Sequence, residues 1–239
     1  MHSPSQHLCV TGAAGGIGRA VIAHATARYR AITAIDQDTV DIRDEARVRQ
    51  VVARAENQHG PIDALIHVAG VMQPDRCLEE DHSFFGNQNF EVNIGGTIAV
   101  VSPIAQAMCA RRRGSIVVVS SNAATTPRIG MASYGASKAA VTAWTRTLGL
   151  ECARYDVRCN IVSPGSTLTP MLTGMWPDGV DASERVIAGT ASEYRLGIPL
   201  QKLAQPDDIA HACLFLVSPE SAHITMHDLR IDGGATLDS

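Results

Sequence analysis

Short apolar runs alternate with longer amphipathic stretches along this chain. The runs Leu8–Thr11, Ala31–Ile35, Asp63–Val68 and Ser115–Ser120 are mostly apolar, and Val157–Val162 and Asp228–Ile231 are read as strands in which polar residues alternate with apolar ones. The first four show the pattern of strands covered on both faces. A shorter strand is read at Thr39–Val40. Helical periodicity fills the intervals, over Gly16–Arg28, Asp44–His59, Phe84–Arg112, Ser133–Tyr155 and Pro206–Val217. Pro206 suits a first helical position, and Asp207 and Asp208 suit the positive end of that helix. The alternation predicts an α/β fold: a Rossmann-like, doubly wound parallel sheet with helices on both faces and right-handed crossovers. No repeat, linker or low-complexity tract interrupts it, so residues 1–239 read as a single domain. Gly174, Pro177, Gly179 and Gly189 break the pattern between Met171 and Arg195. An irregular helical lid over about residues 169–200 is expected there.

Composition narrows the class. A hydrophobic content of 45% over 239 residues suffices for a sheet covered on two sides. A net charge of -4 gives no reason to expect nucleic acid or an acidic membrane surface as partner. Arg111-Arg112-Arg113 reads as the solvated end of a helix, where cations are favoured. The six cysteines form no C-x-x-C pair, and no secretory apolar segment precedes Leu8. Reduced thiols in a cytoplasmic protein are expected. The scattered histidines have no metal-ligand spacing, and His67 reads as a packed residue at a strand end. The apolar runs read as too short to span a bilayer.

Two segments carry candidate chemistry. Gly12, Gly16 and Gly18 follow the first strand and open a helix, an arrangement that seats a dinucleotide pyrophosphate on a helix N-terminus. Asp36 ends the next strand, 18 residues after Gly18, near the spacing expected of an acid that binds the adenosine ribose. A carboxylate there accepts from the ribose diol and repels a 2′-phosphate, so NAD is expected rather than NADP. The second segment is Tyr134 and Lys138, four apart and thus on one helical face. A nearby ammonium favours a phenolate, and such a pair can exchange a proton with an alcohol or ketone.

The glycine spacing together with Tyr134-x-x-x-Lys138 resembles the short-chain dehydrogenase/reductase family, over nearly the whole chain. The resemblance implies catalytic roles for Asn93, Ser121, Tyr134 and Lys138, with Asn93 supporting a relay water beside the lysine. It implies cofactor contacts at Gly12, Gly16, Ile17, Gly18, Asp36, Ala69 and Gly70, and at Asp41 and Ile42 near the adenine. Pro164, Gly165, Thr167 and Thr169 fall on the nicotinamide side. Thr126–Met131, Val157–Thr167, Leu196–Leu200, Ser221–Thr225 and Ile231–Leu237 are similar to the branch that oxidises a 2,3-dihydro-2,3-dihydroxybenzoate to a catechol with NAD+. That resemblance implies a small dihydroaromatic carboxylic acid as substrate and no metal. Relatives pair through their long helices, which implies a homotetramer.

Substrate-side positions are then Ser121, Arg128 as a carboxylate partner, Met131 as an apolar wall, and Gln73. The branch carries arginine where Gln73 stands, and Asp and His where Asn122 and Thr125 stand. These departures leave open the amino analogue, trans-2,3-dihydro-3-hydroxyanthranilate. A 3-oxoacyl thioester reductase and a non-catalytic NAD sensor are further alternatives. The segment from Asp36 to Asp41 is short, which predicts an open adenine side.

Overall fold

Residues 7–78 and 86–237 are described in the computed structural model of the protein. Chain order runs β1 (His7–Thr11), α1 (Gly16–Ala25), β2 (Ala31–Ile35), α2 (Glu45–His59) and β3 (Ala64–His67). Then come α3 (Gln88–Phe90), a π-helical turn over Glu91–Gly96, and α4 (Thr97–Ala110), which together form one continuous helix. β4 (Gly114–Val119), α5 (Ala132–Ala153) and β5 (Val157–Pro164) follow. The short helices α6 (Pro170–Thr173) and α7 (Ser183–Ala188) precede α8 (Pro206–Val217) and β6 (Asp228–Ile231).

The strands form one parallel sheet in the order β2-β1-β3-β4-β5-β6. Side chains alternate across it, as strand geometry requires. Leu8, Val10, Ile66 and Val117 pack under α1 and α8 with Val21, Ile209 and Leu214. Cys9, Leu65, Ile116 and Val118 pack on the other face with Val48, Val100, Ile104 and Val141 from α2, α4 and α5. Strand order reverses between β1 and β3, so a crevice opens at their carboxyl ends, where such folds bind ligands.

Two expectations are corrected, and a third falls outside the described residues. Thr39–Val40 is no strand: both amides turn back to the Asp36 carbonyl, at 2.8 and 2.9 Å. Too few residues separate β2 from Asp41 for a further crossover, and β2 is left at the sheet edge. The expected helix start at Phe84 lies outside the described residues; the described helix begins at Gln88, capped by the Asn87 side chain. That helix, Gln88–Ala110, is long and apolar enough to cross a membrane, with 23 residues and a window of mean hydropathy 1.4. Half of that window is buried within the protein, as befits a core helix.

The arginines of the run after α4 each find a partner. Arg111 donates to the Ile62 carbonyl, Arg112 to the Arg154 carbonyl at 3.1 Å, and Arg113 pairs with Asp63 at 2.9 Å.

Candidate active site

The β1–α1 turn is shaped by contacts that exclude side chains. Gly12 has φ +65°, and a Cβ there would stand 2.7 Å from the Ala69 nitrogen. At Gly18 a Cβ would collide with the Gly12 carbonyl. The first-turn N–H groups of α1 therefore meet an open cradle, suited to phosphate oxygens. Beside it, Asp36 is fixed at the end of β2. Its Oδ2 accepts from the Ala14 N–H and its Oδ1 from the Gln37 N–H, both at 2.7 Å.

A groove of about 460 Å³ runs from this cradle, lined by Gly12, Gly16, Ile17 and Asp36 on one side and by Asp41, Ile42, Ala69 and Gly70 elsewhere. Gly18 lies beneath as a spacer and is not part of the wall. Arg43 donates to both Asp41 oxygens at 2.6–3.0 Å and reaches Glu91 at 3.2 Å. Those hydrogen bonds hold the Asp41 carboxyl below its ordinary range. Any adenine contact at Asp41 is thus made by a carboxylate shared with Arg43. The residues present fit a dinucleotide: a cradle that a Cβ would fill, a helix N-terminus, and an acid at the ribose end.

The groove continues, past Ile17, Val68, Gly70 and Thr169, into a smaller cavity of about 140 Å³. Ser121 enters from the end of β4, and Tyr134 and Lys138 from the first turns of α5. Pro164, Gly165 and Thr167 border it from the end of β5, with Arg128 and Met131 on the loop before α5. Burial raises the Tyr134 phenol; a hydrogen bond with Ser121 and then the Arg128 charge oppose that rise. The sequence spacing makes Lys138 the cation acting on Tyr134. In the free protein, however, its Nζ donates to the Val119 carbonyl at 3.1 Å and lies 6.0 Å from the Tyr134 ring centre. Arg128 is the positive neighbour that lowers the phenol. Burial itself brings Lys138 down to about 8.

Asn93 sits in the π-helical turn and lines neither cavity. Its Oδ1 accepts from the Val71 N–H at 2.8 Å, and its Nδ2 donates to the Val71 carbonyl and to Ser137 Oγ, each at 3.0 Å. It therefore braces the helix against the loop after β3 and against α5. Gly70 makes room for the site: a Cβ there would stand 3.1 Å from Asn93 Oδ1 and 3.2 Å from Lys138 Nζ.

The start of α5 is held from outside. Asp75 accepts from the Ser133 N–H at 2.9 Å, and Asn89 Nδ2 donates to Ser133 Oγ at 2.7 Å. Gln73 does not reach the substrate cavity. Its side chain donates to Gln88 Oε1 at 2.7 Å, and its neighbour Met72 lines the cavity instead. Sequence reasoning also missed Met171, Leu172 and Met175, which come from α6 and the turn after it. No spacing marks them, because a short irregular segment folds back over the site. Arg128 Nη1 donates to Asn122 Oδ1 at 2.6 Å, and Asn122 Nδ2 donates to Asp232 at 3.2 Å. Asn122 is thus a neutral tether for the guanidinium that lines this cavity.

Comparison with known proteins agrees with this geometry. Residues 19–236 match a family model described as enoyl-(acyl carrier protein) reductase. The chain is 44% identical to 2,3-dihydro-2,3-dihydroxybenzoate dehydrogenase of Bacillus subtilis, over 95% of each chain. Identity is 39% to the protein of that name from Escherichia coli, over 99% of each. A solved structure titled short chain dehydrogenase/reductase family protein superimposes with a TM-score of 0.82 at 29% identity, covering 100% of both chains. A glycine cradle at the switch point, a Ser–Tyr–Lys cavity beside it and full-length likeness to these oxidoreductases make this chain a member of the short-chain dehydrogenase/reductase family.

Proposed function

We propose that the protein oxidises trans-2,3-dihydro-2,3-dihydroxybenzoate to 2,3-dihydroxybenzoate with NAD+, as a cytoplasmic homotetramer serving catechol siderophore or related secondary metabolism. One observation carries the reading. Among the described residues, the cavity that holds Ser121 and Tyr134 has a single guanidinium, Arg128, and walls bearing Met72, Met131, Met171 and Met175, four of the chain's seven methionines. Polarizable thioethers suit a flat, unsaturated ring, and one guanidinium suits one ring carboxylate. The names of the relatives support the same substrate.

In this reading Tyr134 takes the proton of the C3 hydroxyl while Ser121 orients that oxygen and stabilises its developing charge. When bound, the nicotinamide supplies the hydride acceptor. Lys138 holds the nicotinamide ribose, and Asn93 supports the water that takes the proton onward. The resulting ketone tautomerises to an aromatic ring, which favours oxidation. The segment 169–200 acts as a mobile lid over the ring.

Two expectations follow for single residues. Arg128→Met removes a charge-assisted contact of about 1.5–3 kcal/mol, so KM for the acid should rise roughly ten- to a hundredfold. An unchanged KM would show that Arg128 does not bind the carboxylate. Asp36→Ser removes the charge that repels a 2′-phosphate. The NAD over NADP preference in kcat/KM should then fall by about tenfold or more.

The defining test is NADH formation at 340 nm with two acids, the 2,3-dihydroxy compound and trans-2,3-dihydro-3-hydroxyanthranilate. Faster oxidation of the first is expected. Faster oxidation of the second would replace the substrate assignment. Gln73, directed at Gln88 outside the cavity, gives the amino analogue no support.

A further inference from the structure

Asp232 directly follows β6, buried and outside the wall of the substrate cavity. Gly165, just after β5, makes room for it. A Cβ there would stand 2.5 Å from the Asp232 Cβ and 3.3 Å from Asn122 Nδ2. Asp232 Oδ1 accepts from the Gly234 N–H at 2.9 Å. Its Oδ2 accepts from Thr236 Oγ1 at 2.7 Å and from Asn122 Nδ2 at 3.2 Å. Burial opposes the charge on Asp232. The hydrogen bonds from Thr236, Asn122 and Gly234 outweigh it and hold the carboxyl below its ordinary range.

An ionised carboxylate only accepts, and a guanidinium only donates. Asn122 is buried between the two. Its amide therefore has one possible direction, with Nδ2 toward Asp232 and Oδ1 toward Arg128 Nη1, 2.6 Å away. Asp232 thus compensates Arg128 through a neutral amide instead of pairing with it. Burial, and then the Arg195 charge, pull Arg128 down, and Asp232 leads the groups that oppose them. A direct pair would fill the fork that a ring carboxylate needs. The intervening amide engages Nη1 alone among the described residues.

We propose that Asp232 and Asn122 are positioning residues of substrate recognition. The carboxylate sets the direction of the Asn122 amide, and the amide holds Arg128 with its fork turned to the carboxylate of the ring. The proposal rests on the aromatic-acid reading given above, and its test separates the two.

Asn122→Leu removes the acceptor, and KM for the acid should rise about tenfold. Asp232→Asn keeps the shape, but its amide can satisfy Gly234 or Asn122 and not both. There KM should rise about threefold. Thermal melting reports whether each variant folds, and either folded variant carries the test. The loss in kcat/KM should be at least about fivefold greater on the acid than on the same cyclohexadiene diol lacking the carboxylate. In an Arg128→Met background, adding Asn122→Leu should change KM by less than about twofold, because the group it positions is gone. A folded variant with wild-type KM would overturn the proposal. So would an equal loss on the two diols, or a full tenfold effect without Arg128. Calorimetry of benzoate on the NAD+-saturated enzyme reads the clamp without turnover. If the wild type binds benzoate, and Asn122→Leu and Arg128→Met each weaken it, while the acid is not oxidised, the substrate assignment falls and the positioning role holds. Benzoate affinity unchanged in both variants would overturn that role.

Discussion

Tyr134→Phe is expected to lower kcat by about a thousandfold or more while NAD+ binding changes by less than about threefold. The ring of phenylalanine fills the same buried space at the first turn of α5, so the packing there is preserved. What disappears is the group in the smaller cavity able to receive the hydroxyl proton. Ser121 is a poor base, and Arg128 is permanently charged. Lys138 donates one N–H to the Val119 carbonyl and lies 6.0 Å from the Tyr134 ring centre. Because burial raises the Tyr134 phenol in the free protein, kcat/KM of the wild type should climb toward alkaline pH. The Tyr134→Phe variant would show no such limb. The measurement is NADH formation across pH, beside a fluorescence titration of the cofactor. Turnover within tenfold of wild type would remove Tyr134 from the base role.

Acid should destabilise this fold from about pH 6.5 downward, through His67. His67 is held at about 3 against an ordinary value of 6.5. Between those values the unfolded chain binds a proton that the folded one refuses. Stability is therefore complete above about pH 6.5 and declines as pH falls toward 3, by about 1.4 kcal/mol per unit. From pH 6 to pH 4 the loss is roughly 2–3 kcal/mol, a sizeable part of a typical domain's stability. Asp41 and Asp232 are held below their ordinary range, so they contribute only below about pH 4. His67→Asn, with no group to protonate, should flatten the upper part of this slope. Urea unfolding at half-unit pH steps reads it directly. A wild-type curve flat from pH 6.5 to 4.5 would show that the ring finds water or opens before the protein unfolds.

What the sequence made legible was local. Gly12, Gly16 and Gly18 lie within one turn, and Tyr134 and Lys138 within one helical turn, so spacing alone brings each set together. Asp36 was readable for a similar reason, since it ends the strand beside β1. Residues that meet only through tertiary folding were not. Met171 and Met175 reach the cavity from a short segment after β5, whereas Gln73 turns away because Asn89 fixes its backbone on both sides, at 2.9 and 2.8 Å. Thr39–Val40 has β-branched composition, yet chain length overrode it and made a turn. His67 looked like packing because its two threonine partners, Thr11 and Thr97, lie 56 and 30 residues away.

The π-helical turn has a consequence for how this chain tolerates change. Such a turn behaves as one residue more than the α-helical repeat allows. Deleting any single residue from Glu91 to Gly96 would let the helix close at 3.6 residues per turn. Everything on one side of the deletion would then rotate by about 100° relative to the other. Asn93 and Thr97 would part company with Val71 and His67 even if every side chain were kept. Residue count, more than residue identity, sets the geometry of this segment, so point substitution is the gentler perturbation and grafting a regular helix the harsher.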